Sequence, residues 1–151
     1  MGDRIRVGII TQEDPFFLGE AIAYLLSVLP EEIEIACAVV FPGSPFGKKM
    51  AFRKKVQQTV SVFGVRFFIH YTFRYLASRV NHNRSVKSVL RRAGVAVIED
   101  IHSINQDDSI RSVMCHRPDL LVCIGGNQIF KKKIIEAAPR GLINLHTSLL
   151  P

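Results

Sequence analysis

The chain has 151 residues, of which 48% are hydrophobic and 22% charged, and its formal net charge is +7. This length and composition predict one folded domain and exclude a disordered chain. No apolar segment reaches the roughly 18 residues of a membrane-spanning helix, and the amino-terminal residues lack the pattern of a signal peptide, so we expect a cytoplasmic protein without stable membrane insertion.

The first third of the chain alternates strand, helix and strand. Residues 4–11 are apolar and rich in β-branched side chains, which predicts a central strand buried on both faces. Residues 33–41 predict a second buried strand, and the proline- and glycine-rich residues 42–45 predict a turn after it.

An amphipathic helix is predicted between these strands, over residues 16–29. Asp14 and Pro15 provide a cap and a first turn, and Pro30 ends the helix. The apolar side chains that recur there every three or four residues are Phe17, Ala21, Tyr24, Leu25 and Val28.

The middle of the chain, residues 47–93, is predicted to be helical and basic, with interruptions near Gly64 and at 81–83. No acidic residue lies between Glu34 and Glu99, whereas twelve lysines and arginines do. One apolar stripe with helical spacing comprises Phe52, Val56, Val60, Phe63, Phe67, Tyr71 and Tyr75. The basic residues around it include Lys48, Lys49, Arg53, Lys54, Lys55, Arg66, Arg74 and Arg79.

Three interpretations of this basic segment remain open. It is a helical insertion that packs on the sheet and exposes a solvated basic face, or a surface for an anionic partner such as tRNA or a nucleotide-linked sugar. The third interpretation is an amphipathic segment that lies on an acidic membrane.

The last third continues the alternation of strands and helices. The predicted elements are a strand at 95–98, a helix at 104–116 capped by Ser103 or Asn105, a strand at 120–124, a turn at 125–127, a helix at 131–137 and a strand at 142–146. The pattern predicts an α/β fold, a Rossmann-like parallel sheet flanked by helices, with 47–93 as a basic helical insertion. Because ligands bind beyond the carboxyl ends of such strands, we expect the site at the ends of strands one, four and five.

The three cysteines predict no metal or disulfide site. Cys37 and Cys123 lie in apolar strand segments, and Cys115 is not paired with either in a CxxC motif. We therefore expect all three to be buried, reduced thiols. The five histidines are scattered and lack the spacing of metal ligands.

The most informative segment is 118–151, which contains two motifs. The first is a strand, a glycine turn and the step Gln128-Ile129-Phe130, followed by a short helix. The second is Asn144-Leu145-His146-Thr147-Ser148-Leu149-Leu150-Pro151. Together they resemble the formyltransferase family, which includes glycinamide ribonucleotide, methionyl-tRNA and sugar N-formyltransferases. The resemblance covers most of the chain except the basic middle, and implies that 1–151 is the amino-terminal catalytic domain of such an enzyme.

This resemblance implies formyl transfer from 10-formyltetrahydrofolate to an amine, with Asn144 and His146 as catalytic residues. A side-chain amide on a rigid strand can stabilise the oxyanion that forms during acyl transfer, and an imidazole suits proton transfer near neutral pH. Two residues apart on a strand, both side chains point to one face. The structural alternative, a turn-forming Asn and a hydrogen-bonded His, is disfavoured by the flanking motif.

The resemblance also implies a folate site formed by Gly126, Gln128, Ile129 and Phe130, whose backbone groups read the polar edge of the pterin. Glycine permits the sharp turn that this requires, although a tight strand-to-helix connection needs the same residue. No dinucleotide-binding fingerprint occurs, which argues against a nicotinamide cofactor.

The third catalytic residue of the family is an Asp that follows the Ser-Leu-Leu-Pro step by some tens of residues. The sequence ends at Pro151, and Asp119 is expected at the opposite, amino end of its strand. We therefore expect a truncated domain that is inactive or severely impaired as it stands.

The acceptor is less well defined by the sequence. In purine-pathway relatives the loop after strand one holds a phosphate, but residues 11–17 here include Glu13 and Asp14, which would repel it. This favours methionyl-tRNA or a nucleotide-linked amino sugar, although capping of the next helix is a simpler role for Asp14. The alternatives are a formyltetrahydrofolate hydrolase, whose relatives carry a different His-His-Ser-Phe-Leu-Pro motif, and a binding module without catalysis.

Overall fold

A computed structural model describes residues 4–14, 17–43, 52–80, 85–126 and 128–145. Its five strands form one parallel sheet in the order β3-β2-β1-β4-β5, and the predicted α/β fold is confirmed. The elements are β1 (Ile5–Gln12), α1 (Leu18–Ser27), β2 (Ile33–Phe41), α2 (Phe52–Val80), α3 (Val86–Arg92), β3 (Val97–Ile98), α4 (Asp107–Met114), β4 (Leu120–Ile124), α5 (Lys132–Ile135) and β5 (Leu142–Leu145).

Helices cover both faces of this sheet, because alternate strand residues point to opposite sides. On one face α1 and α3 pack on Val7, Ile9, Ala38 and Val40, and on the other α4 and α5 pack on Ile10, Val39 and Leu121. Two buried layers of apolar side chains therefore hold the central strands β1 and β2 rigidly between them.

The strand order changes direction beside β1. The chain proceeds outward from β1 through β2 to β3, then returns to the other side of β1 for β4 and β5. A crevice forms at the carboxyl ends of the two strands where such a reversal occurs. The candidate site is therefore expected between the ends of β1 and β4.

Helix α1 buries a different face from the predicted one. Phe17, Tyr24 and Val28 are 65%, 70% and 53% exposed. The side that faces the sheet carries Ile22, which is buried, and Leu18, which packs against the same cluster. The expected cap is confirmed, since the Asp14 carboxylate accepts hydrogen bonds from the Phe17 and Leu18 N–H groups at 2.7 and 2.9 Å.

Helix α4 begins three residues later than predicted. Ile104 is fully buried in the turn before it, and the residue that precedes the helix is Gln106, whose side chain makes no capping hydrogen bond. The predicted caps Ser103 and Asn105 are therefore wrong, and the Asn105 side chain has a different role at the candidate site.

Helix α2 is interrupted at Gly64, as predicted, where φ is 82° and ψ is 165°. In the first of the three interpretations the apolar stripe packs on the sheet, but Phe63 and Phe67 are 56% and 42% exposed, so these two residues do not pack there. Their rings instead contact each other, with centroids 4.8 Å apart. The second predicted interruption, at 81–83, lies outside the described residues. Within the described part of the chain, no helix is both long and apolar enough to cross a bilayer.

The amino end of the sheet is closed by Arg6 and Asp119. The Asp119 carboxylate accepts a hydrogen bond from the Arg6 N–H at 2.8 Å, and the Arg6 guanidinium pairs with Glu34 at 2.7 Å. Asp119 thus lies at the end of the sheet opposite the expected site, as predicted, and holds β1 beside β4.

Candidate functional site at the carboxyl edge of the sheet

The strands β1 and β4 are joined at the crevice by a buried hydroxyl. Thr11 is fully buried, and its Oγ1 atom donates a hydrogen bond to the Ile124 carbonyl at 2.8 Å. This bond satisfies the last carbonyl of β4 and fixes the point at which the chain leaves the sheet for the glycine turn.

Asn144 lies on the edge strand β5, beside Cys123 of β4 in the parallel register. Residues that pair in a sheet share a face, as do residues two apart on a strand. Leu142, two residues before Asn144, packs against the same core cluster that contains Cys123. Asn144 is therefore on the α4–α5 face, and its side chain is exposed at the carboxyl edge. His146, the second predicted catalytic residue, lies outside the described residues.

The glycine turn folds back onto Cys123. Gly125 has φ of 62°, a left-handed conformation suited to glycine. A β-carbon on Gly126 would overlap the Cys123 sulfur, nearer than the 3.0 Å that real β-carbons respect. It would also lie 3.8 Å from the Phe130 ring. The structure thus brings Asn144, Gly126 and Phe130 together around Cys123.

The Gln128 side chain is fully engaged with the loop before α4. Its Oε1 atom accepts a hydrogen bond from the Ile104 N–H at 2.9 Å, and its Nε2 atom donates to the His102 carbonyl at 3.1 Å. The contact of the Gln128 backbone with the folate stays a prediction, and these two bonds show that the Gln128 side chain holds the loop before α4 in place.

Asn105 holds the same segment from the other side. Its Nδ2 atom donates to the Ile129 carbonyl, and its Oδ1 atom accepts from the Lys131 N–H, both at 2.8 Å. Together, the side chains of Gln128 and Asn105 make four hydrogen bonds between two loops. We call these four bonds the amide clamp.

The amide clamp determines which groups of the predicted folate segment face solvent. Ile129 is 87% exposed, although its carbonyl is bonded to Asn105. Phe130 packs against the core cluster on the α4–α5 face. The segment therefore offers an exposed apolar side chain beside a backbone whose position is fixed.

The two acidic residues after β1 cap helices. The Glu13 carboxylate accepts hydrogen bonds from the Val86 and Lys87 N–H groups at 3.2 and 3.1 Å, and Asp14 caps α1. Glu13 thus bonds the first turn of α3, where a carboxylate is favoured by the helix dipole. The capping role of Asp14 is confirmed, while the effect of this acidic pair on the acceptor stays a prediction.

Gln12, the last residue of β1, presents an unsatisfied oxygen near the crevice. Its Oε1 atom is buried and has no hydrogen-bond partner among the described residues. A buried acceptor without a partner is costly, so an N–H donor from a ligand would stabilise this side chain. The sequence carries no signal for this feature, because an unsatisfied atom is recognised only when its surroundings are known.

The thiols are partly as expected. Cys37 and Cys123 are buried, but Cys115 is exposed, so that part of the prediction is wrong. Burial raises the pKa of Cys37 to about 11, and it also raises the pKa of Cys123, against a smaller opposing effect of the Gly126 N–H. Both thiols are therefore protonated at neutral pH and poorly suited to nucleophilic catalysis. No cluster of potential metal ligands occurs in the residues that the structure describes.

Known proteins similar to this chain include several methionyl-tRNA formyltransferases. The one from Bacillus cytotoxicus is 32% identical over 114 residues, which are 75% of this chain and 35% of that protein. The one from Akkermansia muciniphila is 37% identical over 67 residues, 44% of this chain and 21% of that protein. The one from Kosmotoga olearia is 27% identical over 113 residues, 75% of this chain and 35% of that protein. The matched residues thus span about a third or less of these relatives. No protein-family model matches the chain.

Proposed function

The chain belongs to the formyltransferase family, and on that premise we propose that it transfers a formyl group from 10-formyltetrahydrofolate to an amine. In this proposal residues 1–151 form the amino-terminal catalytic domain, with 47–93 as a basic insertion. The observation that carries the proposal is the exposed position of Asn144, on one sheet face with Cys123 and beside the turn that the amide clamp fixes.

The residues at the edge of the sheet fit a folate. A pterin has a flat apolar ring with a polar edge. Ile129 offers exposed apolar surface, at 87%, and Gly126, Gln128 and Phe130 offer backbone groups for the polar edge. Since the amide clamp uses the Gln128 side chain, we propose that the backbone of Gly126, Gln128, Ile129 and Phe130, rather than the Gln128 amide, contacts the donor.

Asn144 and His146 then have separate roles. The donor supplies the formyl group on its N10 atom. The acceptor nitrogen forms a bond to the formyl carbon and gives a tetrahedral oxyanion, and the carbon–N10 bond then breaks, which leaves an N-formyl product and tetrahydrofolate. The Asn144 Nδ2 group donates a hydrogen bond to the formyl oxygen as negative charge develops there, a type of interaction worth about 3 kcal/mol. His146 takes the proton from the acceptor nitrogen and delivers it to N10.

We propose an acceptor of the kind named in the relatives, a methionyl-tRNA, with a nucleotide-linked amino sugar as the second candidate. Gln12 supports an amine in the crevice, because the N–H groups of an amine would satisfy its buried Oε1 atom. Glu13 and Asp14 keep their negative charge while they cap helices, and this charge disfavours a phosphate beside the loop.

A transfer assay with the protein at its native length tests this function. With a radiolabelled formyl donor, we expect label on methionyl-tRNA or on an amino sugar, and about a hundredfold lower rate after Asn144→Asp, which places a negative charge where the oxyanion forms. Glu136→Gln, an exposed change on the segment after α5, is the control and should leave the rate unchanged. Release of labelled formate without a labelled amine would instead support the hydrolase. Label that remains entirely on the intact donor would support a binding module.

A further inference from the structure

The second half of α2 exposes a continuous apolar face. Val65, Ile69, Phe73 and Leu76 are 60%, 61%, 75% and 57% exposed. Their spacing of four, four and three residues places them on one side of a helix. Phe67 and Tyr75, at 42% and 38%, are also exposed but lie off this side. A contiguous exposed apolar face of this kind marks an interaction surface.

A second side of this half-helix, next to the apolar face, is less exposed. Phe68, Tyr71 and Thr72 are only partly exposed, and the pKa of Tyr71 is raised, chiefly by burial and then by the negative charge of Asp14. The apolar face is therefore not the side by which α2 contacts the described part of the fold.

Positive charge borders the apolar face. Arg66 and His70, both exposed, each follow an apolar residue of the face by one position, and Arg74 continues the four-residue spacing in the sequence. Arg53 and Lys54 are exposed in the first half of α2. The helix sequence contains no aspartate or glutamate, and none lies between Glu34 and Glu99.

We propose that α2 lies along the surface of an anionic lipid bilayer, with Val65, Ile69, Phe73 and Leu76 among the acyl chains and the basic side chains at the phosphates. Interfacial helices combine one apolar face with lysine or arginine beside it, and arginine can extend its charge to the headgroups while its stem stays apolar. The absence of any acidic residue from the helix complements a negatively charged surface.

The composition of the face favours a bilayer over RNA. RNA offers phosphates to basic side chains and bases to aromatic rings, but it has no apolar interior that could bury a row of aliphatic side chains. Three of the four residues of the face are aliphatic. An anionic bilayer accommodates both the aliphatic side chains and the arginines.

Gly64 allows the two halves of α2 to lie differently on such a surface. Its φ of 82° breaks the helix, and a β-carbon there would meet nothing within 4 Å. The two halves, each with three lysines or arginines, are thus separated by a glycine that no neighbour among the described residues constrains.

Vesicle sedimentation with the 151-residue chain tests the proposal. Vesicles of phosphatidylcholine with about 30 mol% phosphatidylglycerol should sediment the protein, whereas pure phosphatidylcholine should retain much less, and the difference should shrink in high salt. Excess tRNA should not release the protein from anionic vesicles if the apolar face is inserted.

Substitutions in the face separate apolar from electrostatic binding. The double substitution Ile69→Ser with Phe73→Ser should weaken partition at least about tenfold, and Arg66→Gln should weaken it about fivefold. Tyr24→Ser, which removes an exposed ring from α1, and Arg140→Gln, outside α2, are the matched controls and should change little. Circular dichroism should show unchanged folding, since the substituted side chains are exposed.

Three results would overturn the proposal. These are equal partition of the native chain to neutral and anionic vesicles, no effect of the double serine substitution, and complete release by tRNA. A shift to monomers in the double variant, with a native chain that self-associates and ignores vesicles, would assign the face to a second copy instead. None of these results depends on formyl transfer.

Discussion

Gly126 lies directly against the sulfur of Cys123, so close that a β-carbon on Gly126 would overlap it. Cys123 is fully buried and is the neighbour of Asn144 in the sheet. The contact thus connects the backbone of the proposed folate segment to the strand pair that positions the proposed catalytic amide.

Gly126→Ala is expected to displace the turn and to weaken folate binding, because the buried thiol cannot move away from the new methyl group. Overpacking at such a position costs about 1–3 kcal/mol in the free energy of unfolding. Urea denaturation measures the stability, and titration with a stable folate analogue measures the binding.

Cys123→Ala provides the control for this substitution. It removes the sulfur and should itself cost about 1 kcal/mol through loss of buried volume. In the Cys123→Ala background the additional cost of Gly126→Ala should be smaller, and folate binding should recover in part. Equal costs of Gly126→Ala in both backgrounds would show that the contact does not determine the position of the turn.

Asn105→Ala should loosen the segment that carries Ile129. Two hydrogen bonds of the amide clamp are lost, from the Ile129 carbonyl and the Lys131 N–H, and each contributes about 1 kcal/mol. We expect faster hydrogen exchange at Lys131 and weaker folate binding. Hydrogen-exchange mass spectrometry of the peptide that spans 128–131 measures the first effect.

Asn105→Asp separates the two bonds. The carboxylate still accepts from the Lys131 N–H but cannot donate to the Ile129 carbonyl. Exchange at Lys131 should therefore stay close to that of the unmodified chain, while folate binding falls. Rapid exchange at Lys131 in this variant would contradict the assignment of that bond.

The thiols should differ strongly in reactivity. Iodoacetamide at neutral pH should modify Cys115, which is exposed, and leave Cys37 and Cys123 unmodified. Mass spectrometry of the labelled chain should show one added group, and Cys115→Ser should abolish it. Rapid labelling of Cys123 in the folded chain would contradict its burial.

Alkaline pH should destabilise the fold through Cys37. Its pKa is raised from 9.0 to about 11 in the folded chain, so above pH 9 the unfolded chain loses a proton that the folded chain retains. The free energy of unfolding should consequently fall as pH rises from 9 to 11 and then level off. Cys37→Ala should show a smaller fall, and urea denaturation at several pH values measures both.

The sequence predicted most reliably the elements whose signals are local. The bounds of β2 and β4 agree with the prediction because each is a mainly apolar segment, with Glu34 the one charged residue, that ends at a turn. The buried face of α1 was mispredicted because apolar residues occupy two sides of this short helix, so that periodicity alone does not distinguish Leu18 from Phe17. Which side is buried depends on the position of the sheet.

In the candidate site, too, the sequence predicts features with a local signal and does not predict contacts between distant residues. The position of Asn144 at the end of the last strand followed from its motif, but the partners of Gln128 did not. The side-chain amide of Gln128 forms hydrogen bonds with His102 and Ile104, which are 26 and 24 positions away in the chain. No local sequence pattern marks such a contact. The sequence predicts Asn105 as a helix cap because its hydrogen bonds to Ile129 and Lys131 are likewise distant in the chain.

The most direct test of the account is to map folate binding on the isotopically labelled 151-residue chain by NMR, with a stable 10-formyl folate analogue. The account predicts that the amide signals of Gly126, Gln128, Ile129 and Phe130 and the side-chain amide of Asn144 shift together on titration, while those of Arg6 and Asp119 at the opposite end of the sheet stay unchanged. Saturable shifts confined to another surface, or no shifts at the carboxyl ends of β4 and β5, would contradict it.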